Sequence, residues 1–111
     1  MPATAQVYYP DGCRRTVKED GDYMSLQRLQ DMVKHPAQER SSIQMLPNSV
    51  HFRLKWLENK QDIPLDMVAF VNEEGQYYWD QDNGQVGYGL DGFEHYEPRG
   101  PVVLVESKFI E

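Results

Sequence analysis

The sequence has one cysteine, Cys13, and lacks any long uninterrupted run of apolar residues. A single cysteine excludes an internal disulfide, which agrees with a reducing compartment. The longest apolar runs, 67–71 and 101–105, fall far short of the ~20 residues that a membrane-spanning helix needs. The first ten residues also lack the basic start and apolar stretch of a secretory signal. We therefore expect a cytoplasmic protein that does not contact a membrane.

Basic residues are scarce in the second half of the chain. Residues 61–111 contain two, Arg99 and Lys108, against eleven acidic residues, whereas residues 1–60 contain nine against seven. Nucleic-acid phosphates need cationic partners, so we expect no direct nucleic-acid binding. The same excess of negative charge favours a protein partner with a basic surface.

Chain length and composition predict one domain over residues 1–111. A chain of 111 residues with 40% hydrophobic residues suffices for one core. Alternation at 4–9 and 14–18 around Pro10-Asp11-Gly12 predicts a β-hairpin. Further strands are predicted near 42–46, 51–57, 67–71 and 101–105, and the last of these would support an edge-strand homodimer if it lay at a sheet edge. The alternative is a monomer.

Residues 25–34 have the pattern of an amphipathic helix. Apolar residues share one face at 3.6 residues per turn, namely Leu26, Leu29, Met32 and Val33. Ser25 is a typical N-cap residue, and Pro36 disfavours helix at the residue before it. We predict an α+β fold, mainly an antiparallel β-sheet, with this helix packed on one face through Leu26, Leu29 and Val33. The predicted core also contains Val7, Phe52, Leu54, Trp56, Val68, Phe70, Val102 and Leu104.

The region from Met67 to Gly92 contains most of the turn signals. Residues 72–75 predict a turn with Gly75 at positive φ, followed by a strand over 76–79 that completes a second hairpin. Residues 58–64 and 82–92 are rich in turn-forming residues, and each predicts an irregular loop.

Several segments together resemble the domain of unknown function family 3846, a small domain of phages and bacteria. They are SLQRLQDMV, SSIQML, FVNEEG, NGQVGYGLDGF and RGPVVLVE, which lie between residues 23 and 106. The sequence departs from the family at 34–37, where a glycine pair is usual, and in a longer insertion at 47–65. The resemblance implies an order of elements and a mobile-element accessory protein, not a reaction.

No motif identifies a catalytic, cofactor or metal site. Alternation along a strand would separate Glu73 from Glu74, and neither register of residues 79–91 fits a calcium loop. A looser cation site formed by Asp80, Asp82, Asp91 and Glu94 is a further alternative. Beside Arg14 and Arg15, Cys13 could have a lowered pKa. We predict no catalytic residue, while a metal-dependent hydrolase that uses the acidic cluster stays an alternative.

Aromatic residues are concentrated among the acidic ones. Six of them, interleaved with carboxylates, occur within 77–96, more than a loop needs for its own packing. Exposed aromatic rings on an acidic rim are typical of recognition surfaces. We therefore predict a small acidic interaction module that binds or sequesters a host protein through Glu73, Glu74, Trp79, Asp80, Asp82, Tyr88, Asp91, Phe93 and Tyr96. The second alternative is a pocket between the helix and this region that stacks a nucleotide-like ligand.

Overall fold

The computed structural model describes residues 2–90 and 95–110. In these ranges the elements are β1 (Thr4–Tyr8), β2 (Arg14–Lys18), α1 (Leu26–Val33), β3 (Ile43–Leu46), β4 (Phe52–Trp56), β5 (Gln61–Asp62), β6 (Met67–Asn72), α2 (Gly75–Tyr78), β7 (Val86–Leu90), β8 (His95–Tyr96) and β9 (Val102–Glu106). A 3₁₀ turn, Ser107–Phe109, follows β9. None of the helices in this part of the chain is long and apolar enough to cross a membrane.

The strands form two sheets in which the paired neighbours are antiparallel. The larger sheet has the order β2-β1-β9-β6-β3, and the smaller has the order β5-β4-β7-β8. Strands β1 and β2 form the hairpin that the sequence predicts. The α+β class is thus confirmed, with two sheets where the pattern suggested one.

Strand β9 lies inside the larger sheet and is buried on both faces. Val103 and Val105 belong to the core shared with α1, while Val102 and Leu104 belong to the core between the two sheets. Side chains alternate along a strand, so an unbroken apolar run meets two cores at once. The molecule therefore has three layers: helix α1, the larger sheet and the smaller sheet.

An edge-strand dimer through residues 101–105 is excluded. Strand β9 pairs with β1 on one side and with β6 on the other, so neither of its sides is open. The edges of the larger sheet are β2 and β3. The apolar character of β9 reflects its central position.

Helix α1 forms where its pattern predicts, but the face that it buries is narrower than the predicted one. The Ser25 hydroxyl accepts a hydrogen bond from the backbone N–H of Arg28 at 3.2 Å, which confirms the N-cap. Leu29 and Val33 are buried as predicted, but Leu26 is 61% exposed and its predicted packing is wrong. Met24, which is buried just before the helix in the same core, supplies the apolar side chain at this end.

Burial agrees with most of the predicted core. The buried members are Val7, Leu54, Phe70, Val102 and Leu104. Phe52, Trp56 and Val68 are half-buried. The two aromatic residues of this group lie at the ends of β4, where the strand leaves the core that Leu54 fills.

Two predicted loops contain short strands. Strand β5 forms within 58–64, and β7 forms within 82–92, because both pair with β4. The glycines that suggested a loop, Gly87 and Gly89, are buried opposite Lys55 and Arg53. Pairing with a neighbouring strand outweighs their low strand propensity. Residues 91 and 92 of the predicted loop lie outside the described ranges.

Truncation of Leu29 tests how α1 packs. Leu29→Ala removes a side chain that is 3% exposed, so we expect the free energy of unfolding to fall by about 2 to 5 kcal/mol. Leu26→Ala on the same helix is the matched control and should change it by less than about 0.5 kcal/mol. Urea denaturation followed by circular dichroism measures both, and equal losses would contradict this packing.

Candidate functional site

Two buried asparagines delimit the region that carries most of the predicted site. Asn72 is 4% exposed and Asn83 is 1% exposed. The residues between them, 73–82, are called the acidic segment here because Glu73, Glu74, Asp80 and Asp82 lie within it. Buried amides persist when their donors and acceptors are paired, so the partners of the two asparagines define how the segment is held.

Asn72 attaches the beginning of the acidic segment to the end of α1. Its side-chain N–H groups donate to the carbonyl oxygen of Val33 at 2.9 Å and to Oε1 of Gln38 at 2.7 Å. Its Oδ1 accepts from the backbone N–H of Glu74 at 2.9 Å. One side chain thus joins the end of β6, the last turn of α1 and the first residues of the segment.

Asn83 attaches the other end to both sheets. Its side-chain N–H groups donate to the carbonyl oxygens of Tyr8, in β1, and Gly100, which precedes β9, each at 2.8 Å. Its Oδ1 accepts from the backbone N–H groups of Gln85 and Val86 at 3.1 and 3.0 Å. These four hydrogen bonds connect β1 and the start of β9 with the start of β7.

Within the acidic segment, residues 75–78 form helix α2, so the predicted strand over 76–79 and its hairpin are wrong. The backbone N–H of Trp79 donates to the carbonyl oxygen of Gly75 at 3.0 Å. Gly75 does not have the predicted positive φ. It is instead a point of close approach, because an added Cβ would collide with the carbonyl oxygen of Arg99. Tertiary attachment at both ends outweighs the strand propensity of the tyrosines.

Trp79 anchors the segment to the body of the protein. Gly100 has a φ of +90°, and a Cβ added there would lie 2.7 Å from the indole ring. The ring of His35 also contacts the indole in a T-shaped arrangement, with 4.9 Å between ring centroids. Trp79 is half-buried in these contacts. Its main role in the structure is therefore to hold the segment.

The acidic segment presents carboxylates and one aromatic ring to solvent. Glu73, Glu74 and Asp80 are exposed, and Tyr77 is 76% exposed. Asp82 is exposed as well, but its carboxylate lies 3.7 Å from Nε of Arg99, which compensates part of its charge. The structure thus brings five of the predicted residues, the four carboxylates and Trp79, together with Tyr77 onto one anchored segment.

The predicted binding residues do not include Tyr77, and the sequence pattern predicts a strand over 76–79. In a strand, Tyr77 and Trp79 would point to the same face. In a helical turn, residues two positions apart point to nearly opposite sides. A helical pattern would have separated the exposed Tyr77 from the anchoring Trp79.

The other predicted residues lie elsewhere. Tyr88, in β7, is half-buried against the core between the sheets, and its ring centroid is 4.5 Å from that of Phe52. Asp91 and Phe93 lie outside the described residues, as does the side chain of Tyr96 in β8. Tyr88 therefore packs against the core between the sheets and lies outside the acidic segment.

The contacts of the acidic segment bear on the alternatives as well. Among residues 2–90 and 95–110, no group of three or more His, Cys, Asp or Glu side chains is arranged to hold a metal ion. The cavity bordered by Gly75, Gln76 and Tyr88 has a volume of about 60 Å³. Nucleotide-sized ligands occupy sites of about 300 to 1,000 Å³, so this cavity does not accommodate one.

Cys13 differs from its predicted state. The thiol is exposed, but a hydrogen bond to Asp11 and the negative charge of that carboxylate raise the pKa of Cys13 above its ordinary value. The expected lowering by Arg14 and Arg15 is therefore wrong. A raised pKa reduces the thiolate fraction at neutral pH, which is the opposite of what a nucleophilic cysteine needs.

Comparisons with protein-family models, with curated proteins and with solved structures gave no match. The resemblance to the domain of unknown function family 3846 stays a prediction, as does the mobile-element background that it implies. Arguments about function therefore depend on the geometry and charge of this chain.

Removal of the Asn83 amide tests whether it holds the segment. Asn83→Ala leaves four backbone groups without their partner, so we expect the free energy of unfolding to fall by about 2 kcal/mol or more. The exposed Asn59 is the control, and Asn59→Ala should cost about 0.5 kcal/mol or less. Thermal denaturation measures both, and a stable Asn83→Ala protein would contradict the anchoring role.

The reactivity of Cys13 tests the influence of Asp11. Asp11→Asn keeps an oxygen that can accept the backbone N–H of Cys13 and removes the negative charge, so the pKa of the thiol should fall. We expect alkylation by iodoacetamide at neutral pH to accelerate, because more thiolate is present. A rate that is unchanged or slower across pH 7 to about 9 would contradict this cause.

Proposed function

We propose that this protein is a small acidic interaction module that binds or sequesters a protein with a basic surface. The acidic segment is the contact surface, with Tyr77 as its aromatic contact. In line with the resemblance at the sequence level, the proposed background is a phage or mobile-element accessory protein. No reaction is part of the proposal.

The observation that carries the proposal is the anchoring of an exposed segment. Asn72 and Asn83 hold its two ends, and Trp79 packs against the body of the protein between them. A segment that is held in one conformation loses little conformational entropy when a partner binds. Anchoring a polar surface segment by buried side chains favours recognition over a purely solvating role.

The charge of the segment supports a basic partner. Residues 61–98 contain no Lys or Arg, so Arg99 is the first basic residue after Lys60. Arg99 compensates Asp82, while Glu73, Glu74 and Asp80 are exposed. Negative charge of this kind steers a positively charged partner and increases its association rate.

Tyr77 supports a protein partner in particular. A tyrosine that is 76% exposed offers a large apolar ring with a polar hydroxyl group. Tyrosines are enriched at protein interfaces because they contribute contact area with few rotatable bonds. The tyrosine sits among carboxylates, so an interface here would have an aromatic contact inside a charged rim.

Site-specific crosslinking identifies the partner and tests the surface. A photoreactive phenylalanine analogue in place of Tyr77 should capture a basic protein from extracts of a host cell. The same analogue in place of Tyr23, which is 50% exposed and outside the segment, is the matched control and should not capture it. Equal capture from both positions would contradict the proposed surface.

Binding kinetics with the captured protein separate charge from contact. Glu73→Gln with Glu74→Gln should slow association by about two- to fivefold and flatten its dependence on salt. Tyr77→Ala should accelerate dissociation by about tenfold, since contact residues act mainly on the dissociation rate. The proposal is wrong if a single carboxylate substitution abolishes a catalytic activity while partner binding stays intact.

A further inference from the structure

Strand β2 is an open edge of the larger sheet, and its register shows which backbone groups are free to pair. The N–H of Tyr9 donates to the carbonyl of Cys13, and the N–H of Glu19 donates to the carbonyl of Ala3, each at 2.9 Å. Antiparallel pairs alternate between bonded and non-bonded positions. The backbone groups of Arg14, Thr16 and Lys18, at the intervening positions, therefore point away from β1.

The side chains of this edge are mainly basic. Arg14, Arg15 and Lys18 are exposed, and Val17 is the buried residue of the strand. Pairing places Arg15 and Val17 opposite Val7 and Ala5, on the face that α1 covers. Arg14 and Lys18 point to the other face, so cations lie on both faces of the open edge.

A groove runs beside this edge, between β2 and α1. Its volume is about 340 Å³, with Val17 and Met32 as apolar lining and Arg15 and Arg28 as cationic lining against the single carboxylate of Asp31. Lys18 borders it at the carbonyl that Arg28 contacts. Asp31 accepts a hydrogen bond from Gln27 at 3.2 Å.

The guanidinium of Arg28 marks one end of the groove. It donates to the outward carbonyl of Lys18 at 3.0 Å and pairs with Glu19 at 3.1 Å. The outward N–H and carbonyl groups of Arg14 and Thr16 form the open part of the edge.

We propose that an acidic, extended segment of a partner protein docks on β2 as an additional strand of the larger sheet. The backbone groups of Arg14 and Thr16 supply the ladder hydrogen bonds, as in other cases of strand addition. Carboxylates of the added strand face Arg15 and Arg28 on one side and Arg14 and Lys18 on the other, and opposite charges across strands stabilise pairing.

The occupant is a foreign segment and not the acidic segment of a second copy. That segment is helical at 75–78 and is held at both ends by Asn72 and Asn83, so it is not free to extend as a strand. Charged side chains on an edge strand also repel like-charged edges. The positive charges of β2 therefore favour pairing with an acidic strand over pairing with a basic one. This inference does not depend on the proposed function, because it concerns another surface with the opposite charge.

The test uses the full chain and a labelled peptide of about six residues that alternates Glu and Val. Fluorescence anisotropy should show binding that weakens as salt is added. A peptide that alternates Lys and Val should not bind. Chemical-shift changes of the backbone amides should be largest at Arg14, Thr16 and Lys18.

Proline substitution tests strand addition directly. Thr16→Pro removes an outward N–H but no hydrogen bond to β1, so the fold should persist while the peptide binds about tenfold more weakly. Thr16→Val is the matched control, because it loses the hydroxyl contact with Gln6 and keeps the N–H. Met45→Pro removes an N–H that, by the same alternation, points outward from β3, the uncharged edge, and should leave binding unchanged.

Charge reversal tests the choice of an acidic occupant. Arg15→Glu with Lys18→Glu should weaken binding of the acidic peptide by about tenfold or more and allow the Lys peptide to bind. Circular dichroism confirms that each variant is folded. Equal binding of both peptides to the unaltered protein, or unchanged binding in a folded Thr16→Pro protein, overturns the proposal. Unchanged binding in a folded Thr16→Pro protein would show that the peptide contacts only the charged side chains and does not pair with the backbone of β2.

Discussion

Burial of β9 on both faces is the constraint on which the rest of the structure depends. Val102, Val103, Leu104 and Val105 are each at most 1% exposed, so an apolar layer must cover each face of the strand. Helix α1 covers one face and the smaller sheet covers the other. The chain enters β9 at Gly100, directly beside the ring of Trp79 and within hydrogen-bond distance of Asn83. The same central strand thus organises both cores and the base of the acidic segment.

The two buried asparagines fix the position of the acidic segment on this architecture. A buried amide without partners is costly, so each asparagine is compatible with only those arrangements that pair its donors and its acceptor. Asn72 requires the end of α1 beside the end of β6, and Asn83 requires β1, β7 and the start of β9 together. Displacement of either end of the acidic segment would leave these groups unpaired. The polar interior therefore holds in place side chains that a turn of this composition would otherwise leave free to move.

Acidic and basic side chains are concentrated at different elements of the larger sheet. The acidic segment follows β6, whereas the basic groups line β2, with β9 and β1 between these two strands. The net charge of −7 conceals this division, because it averages a basic edge with an acidic segment. The two proposed contacts follow this division: a basic protein surface for the acidic segment and an extended acidic chain for the basic edge. The two proposed contacts use different residues, so a substitution that removes one should leave the other intact.

Local pattern alone was sufficient for the α+β class, the β1–β2 hairpin and helix α1, since periodicity and turn or capping residues define these elements within a few positions. The concentration of acidic and aromatic residues around 73–82 is likewise visible in the sequence, and their role in binding stays a prediction. Tertiary structure decided what pattern could not: that residues 75–78 are helical, that β7 pairs despite its glycines, and that β9 lies at the centre of a sheet. Each of these depends on partners distant in sequence, such as Arg99 against Gly75, β4 beside β7, and β1 with β6 around β9. Hydrophobic pattern determines which residues must be buried, whereas the neighbours that bury them exist only once the chain has folded.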